Sequence, residues 1–113
     1  MRGRLQCARQ EALRHDTELY RRFLAATARG YRRAMEDEEA VVRAMSAALW
    51  HVSPAVIRAS TRKIRDSWFT PEGRWGEIQA DLVDSYTRWM REGGWTTAPV
   101  EATCGAWRND LLA

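Results

Sequence analysis

The sequence predicts a mainly α-helical chain of about four helices, with a short strand or arm at its N-terminal end. Three observations predict it. Apolar residues recur at three- and four-residue intervals through four segments, which is the spacing of one helix face. Capping and stop residues bracket those segments, among them Asp16, Ser53-Pro54 and Gly93-Gly94. The composition, 45% hydrophobic and 29% charged over 113 residues, is that of one folded domain and not of a disordered tail.

Each element has its own justification. Around Leu5 and Cys7 the pattern suits a short strand or a frayed arm. A helix follows over Asp16 to Met35, capped by Asp16 or Thr17, with Glu18 at the positive end of its dipole. Leu19, Tyr20, Phe23, Leu24, Thr27, Tyr31 and Ala34 share one side of it, and Arg21, Arg22, Arg29, Arg32 and Arg33 lie mostly on the other. Gly30 costs this helix about 1 kcal/mol against alanine, which predicts a close approach by another element. The next helix covers Asp37 to Leu49: acids crowd its start, and Val41, Ala44, Met45 and Ala48 make its apolar face. After a turn at His51-Val52, Ser53 caps and Pro54 opens a third helix reaching Arg65. It carries Val56, Ile57 and Ile64, and its polar stretch Arg58 to Lys63 is expected at the surface.

Residues Trp68 to Gly76 form a loop with one proline, two glycines and three large aromatics, which must pin it down. The last helix runs from Glu77 to Glu92, with Ile78, Leu82, Val83, Tyr86, Trp89 and Met90 as its stripe and Gly93-Gly94 as its stop. Trp95 to Gly105 reads as extended and turn-rich, and Trp107 to Leu112 as a docked tail or turn. No repeat or low-complexity segment interrupts this order.

The net charge is +3, and Lys63 is the only lysine among 18 cations. Arginine suits phosphate or carboxylate recognition, but these arginines alternate with acids and form no block. The longest apolar run, Ala47 to Trp50, is far below the ~20 residues of a membrane span. The start, Met1 to Arg14, has no apolar h-region and so reads as carrying no secretory signal. Cys7 and Cys104 match no zinc or redox spacing and read as two free thiols unless the fold joins the ends. His15 and His51 have no ligand partner at metal spacing, so no metal site is expected.

Ala47 to Arg58 resembles a DNA-binding helix-turn-helix. Three features count against it. His51 occupies the turn position usually held by glycine, four acids open the first helix, and Arg58, Arg62 and Lys63 lie beyond the first turn of the second. The chain has no P-loop, dinucleotide fingerprint or nucleophile elbow, hence no expected cofactor and no catalytic residue. Arg74 and Trp75 are the candidate ligand-binding pair, able to hold an anionic or planar solute by charge and stacking. The competing reading has Trp75 plug the loop onto the helix that follows.

Four stretches together resemble a known family. They are Glu11 to Tyr31 with its Arg-Phe-Leu, Ala-Thr and Gly-Tyr, Arg32 to Val42 ending in Glu-Glu-Ala-Val, Gly73 to Gly94 opening Gly-x-x-Gly-x-Ile, and Trp107 to Leu112. In this order they resemble the C-terminal part of substrate-binding proteins of ABC importers. The branch is that of binders of thiamine-pyrimidine precursors, riboflavin, sulfonates and nitrate, whose fold the thiamine-pyrimidine synthases share. Arg108 stands where the family has threonine, and Asp16 where it commonly has proline.

The resemblance implies that residues 5–112 are the helical C-terminal portion of a two-lobe α/β binding-protein domain, with 1–4 and 113 as flexible ends. Leu5 to Ala8 would be the last strand of one lobe. Most of the sheet, the cleft and any signal would belong to a longer N-terminal part not in this chain. Its partners would be a small solute and an ABC permease, with no nucleic acid and no membrane span, and intact members work in the periplasm or at the cell surface. The alternatives are a synthase-like enzyme fragment and a small basic helix-turn-helix module. An incomplete domain should also expose a contiguous apolar patch of several hundred Å² where the sheet would pack.

Overall fold

The computed structural model describes residues 6–99 and 106–112. Five α-helices follow one another: α1 (Gln10–His15), α2 (Thr17–Glu36), α3 (Glu38–Ala48), α4 (Pro54–Ile64) and α5 (Ala80–Glu92). A 3-10 turn, Arg65–Ser67, prolongs α4. Among the described residues no strand forms, so the strand expected near Leu5 to Ala8 is not met: residues 6–9 are an irregular arm, and Leu5 lies outside the described residues. The flexible ends expected at 1–4 and 113 also lie outside them.

The helix α1 was not foreseen. Six residues are too few to show a period, and Arg9 at its N-cap makes no side-chain cap bond. It runs almost directly into α2 through Asp16. Neither expected side chain works as a cap: the Asp16 carboxylate accepts no capping bond, and the Thr17 hydroxyl donates to the Leu13 carbonyl at 2.6 Å.

The pair α3–α4 is the best-made part of the chain. Asp37 caps α3 by accepting from the Ala40 N–H at 3.0 Å, and Ser53 caps α4 through the Val56 N–H at 3.4 Å. Pro54 opens α4, where its missing donor costs nothing. Val42, Ile57 and Thr61 are buried. Two expectations are corrected here. The inward row on α3 carries Val42, while Met45, Ala44 and Ala48 are exposed. On α4 Ile57 turns in as expected, but its inward companion is Thr61, from the stretch expected at the surface, while Val56 and Ile64 face out. Thr61 can be buried because its hydroxyl donates to the Ile57 carbonyl at 2.8 Å.

Residues 69–75 close as a tight hairpin. The Gly73 N–H donates to Thr70 O and the Thr70 N–H to Arg74 O, both at 2.8 Å, and Phe69 pairs with Trp75. Gly73 has φ 79°, the left-handed conformation this kind of turn needs. The end of α5 is a Schellman motif: the Trp95 N–H reaches Met90 O at 2.8 Å, the Gly94 N–H reaches Arg91 O at 3.0 Å, and Gly94 has φ 73°. By contrast a Cβ on Gly30 would meet nothing within 4 Å, so the expected close approach there is absent.

The core is small. Among the described residues Ala28, Val42, Ile57 and Leu111 are the buried apolar ones, and no large side chain is fully enclosed. The accessible surface is 8948 Å², against ~6,300 Å² for a compact monomer of this mass. The radius of gyration is 17.0 Å, against ~13 Å for a compact chain of this length. Leu19 and Phe23 on α2, and Leu82, Tyr86 and Trp89 on α5, stand open to solvent. Trp50, at the tip of the α3–α4 turn, is 87% exposed.

Candidate functional site

A cleft of about 560 Å³ lies between α2, the 69–75 hairpin and the C-terminal turn. That is within the ~300–1,000 Å³ of small-molecule sites. One row of α2 makes its floor: Ala25 and Ala28 are small and leave the hollow, and Arg29 and Arg32 stand at its edge. The hairpin supplies Gly73, Arg74 and Trp75, and the tail supplies Asn109 and Leu112.

Aromatic contacts hold the hairpin over α2. The Tyr31 ring lies 5.1 Å from Trp68, edge-on, and 5.3 Å from Trp75. Trp75 therefore plugs the loop, as one expectation had it, but onto α2 and not onto the helix that follows. The tail is held by a two-point clamp. The Ile78 N–H donates to Asn109 Oδ1 at 2.9 Å, and Asn109 Nδ2 donates back to the Ile78 carbonyl at 2.8 Å. Gly76 lies under Leu112, where a Cβ would come within 3.3 Å of the leucine methyl.

The clamp explains why α5 starts at Ala80 and not at Glu77. Asn109 occupies both backbone groups of Ile78 from 31 positions away, and Arg74 holds the Glu77 carboxylate through both Nε and Nη2.

The candidate pair Arg74 and Trp75 thus lines the cleft. Arg74 is not a free cation: Glu77 accepts from it twice and Glu72 lies at 3.6 Å. Its pKa is raised, chiefly by the Glu77 hydrogen bond. Glu72 is lowered, first by its own backbone N–H and then by the Thr70 hydroxyl. Sequence reasoning missed Arg29 and Arg32, which it placed on a solvated helix side. Among the described residues neither has a carboxylate within 4.0 Å, whereas Arg21, Arg33, Arg43, Arg58, Arg62, Arg74 and Arg108 all do. The only sequence signal was two arginines three apart beside two alanines.

The would-be recognition helix is engaged elsewhere. Arg58 pairs with Glu39 at 2.7 Å, and Arg62 holds Glu38 by two bonds of 2.8 Å. Among the described residues none other than glycine has positive φ, so the turn closes without a left-handed His51. No group of three or more His, Cys, Asp or Glu side chains converges among the described residues. Cys7 is exposed, and Cys104 lies outside the described residues. Among the described residues no helix is long and apolar enough to cross a membrane. No family model matches the chain, and neither a curated protein nor a solved structure is significantly similar to it.

Proposed function

We propose that this chain is the helical C-terminal part of the substrate-binding component of an ABC importer. The type is that which takes thiamine-pyrimidine precursors, riboflavin, sulfonates or nitrate. It would act as a binder and not an enzyme, outside the cytoplasmic membrane, with lobes of an α/β domain closing around a small planar or anionic solute. The observation that carries this reading is the pair of open apolar faces. The Leu82-Tyr86-Trp89 row of α5 and the Leu19-Phe23 pair of α2 are built to lie on another layer.

A second observation supports it. The stretches that carry the family resemblance meet in space: Tyr31 on Trp75, Ile78 with Asn109, Gly76 under Leu112. Segments that converge in this way form one structural unit, which random similarity would not require. The Arg58–Glu39 and Arg62–Glu38 pairs weigh against the DNA-binding alternative, because a phosphate would have to displace a carboxylate from each arginine.

The test is the genomic DNA upstream of Met1. The expected result is an in-frame coding stretch of alternating strands and helices beside permease and ATPase genes. An in-frame stop with no such stretch overturns the reading. An upstream stretch carrying the reactive histidine and metal ligands of a synthase replaces it with the enzyme alternative.

A further inference from the structure

We propose that the cleft between α2, the 69–75 hairpin and the C-terminal turn is an anion site, and that it takes a small planar ring carrying a phosphate monoester. Charge carries the first half of this. Arg29 and Arg32 stand three apart on α2, so both guanidinium groups rise from one side of the helix. Among the described residues no acid within 4.0 Å compensates either of them, whereas Arg74, the other arginine of this cleft, does have such a partner. Arg74, across the cleft, is held by Glu77, which also lines the cleft, and by Glu72 at 3.6 Å, so that side adds no positive charge and the attraction rests on Arg29 and Arg32. Two uncompensated cations at one rim match a dianion, and the guanidinium fork matches phosphate oxygens.

Shape carries the second half. Ala25 and Ala28 keep the floor low, and Gly73 adds no side chain to the wall. Trp75 is half-buried, with one part of its ring against Tyr31 and the rest at the cleft. An indole at a cleft wall offers a stacking surface to a flat ring. Asn109 uses both ends of its amide on Ile78 and serves only as wall. The volume of about 560 Å³ accommodates a ring and one phosphate. The cleft is assembled entirely from this chain, so the proposal does not rest on the transporter reading. Either can fail while the other stands.

The experiment is calorimetry on the full chain with phenyl phosphate, inorganic phosphate and benzyl alcohol as probes, at physiological ionic strength. Saturable 1:1 binding of phenyl phosphate is expected, with inorganic phosphate about tenfold weaker and no binding of benzyl alcohol. Arg29→Gln and Arg32→Gln should each weaken phenyl phosphate by about tenfold. Both side chains are exposed, so the fold should survive, and circular dichroism checks that it does. Arg88→Gln removes the same charge from α5, outside the cleft, and should change nothing. Absence of saturable phenyl phosphate binding overturns the proposal, and so does an equal loss in all three variants. Equal affinity for inorganic and phenyl phosphate removes Trp75 from the site and overturns the planar-ring assignment.

Discussion

The α3–α4 pair and α5 are all built from amphipathic sequence, α5 most of all, yet only the pair finds a partner for its apolar side. In α3–α4 a short turn brings two faces together, Val42 and Ile57 are buried between them, and acids on α3 meet arginines on α4 along the rim. The helix α5 is secured at its ends, by the Asn109 clamp before it and the Schellman motif after it. Along its length only Thr87 is buried, while Leu82, Tyr86 and Trp89 look outward. Amphipathic spacing says that a face is meant to be covered. Whether it is covered depends on which element the chain places next to it.

The sharpest way to break this comparison is Ile57→Ala. Emptying a buried position between two packed helices should cost about 2–3 kcal/mol, read from urea unfolding followed by circular dichroism. Because the core has so few members, this is a large part of what holds the pair together. A cost below about 0.5 kcal/mol, the level of a surface change, would mean that α3–α4 is packed no better than α5.

Next in size is Asn109→Ala. It removes both partners of Ile78 at a part-buried position, so the loss should be about 1–2 kcal/mol of local stability. Faster amide exchange at Ile78 and release of the 106–112 tail would show it. The variant should also let α5 grow toward Glu77, where the sequence pattern alone starts it, and helical content should rise slightly as the tail is lost.

That second effect bears on what the sequence made legible. The bounds of α2, α3 and α4 fall within one or two residues of expectation, because their signals are local: the acids at the start of α3, the Ser53 cap, Pro54, and the apolar period. The Gly93-Gly94 stop was legible for the same reason. The start of α5 was not, since it depends on an amide 31 positions away. The inward register was misjudged by one position on α3, and on α4 Ile57 turned in as expected but with Thr61 in place of Val56 and Ile64, because the neighbour's location, and not propensity, decided which row turned in. The site follows the same division. Arg74 and Trp75 stood out as charge and aromatic surface in a glycine-bounded loop, whereas Arg29 and Arg32 became part of a cleft only once the hairpin folded back over α2.

A smaller effect tests the rim of the α3–α4 pair. Glu38 is held below its ordinary value of 4.5, first by the hydrogen bond from Arg62 and then by the charges of Arg62, Arg58 and Arg65. Asp37 is held below its ordinary 3.8, chiefly by the Ala40 N–H. A carboxylate depressed in the folded state stabilises that state above its unfolded pKa, and stops doing so as pH falls through its folded pKa. The melting temperature should therefore be level above pH 4.5 and decline below it. Glu38→Gln should remove the first part of that decline and leave the part due to Asp37. An unchanged decline in the variant would mean that the rim pairs add nothing to the contact between α3 and α4.

The smallest effect belongs to α5. Leu82 is 47% exposed and Trp89 56% exposed, so trimming either to alanine removes little buried area. The cost to this chain alone should stay within about 0.5 kcal/mol by the same urea measurement. The value of this near-zero result lies in its context. If the α5 face is meant to lie on a sheet, the same Leu82→Ala change made in a longer protein carrying that sheet should cost about 2–4 kcal/mol, as a core position does. One substitution would then behave as a surface change in one setting and as a core change in the other, which separates a face that lacks its partner from one that never had one. Equal, small costs in both settings would mean that α5 is simply an exposed helix and that its apolar row is covered by nothing.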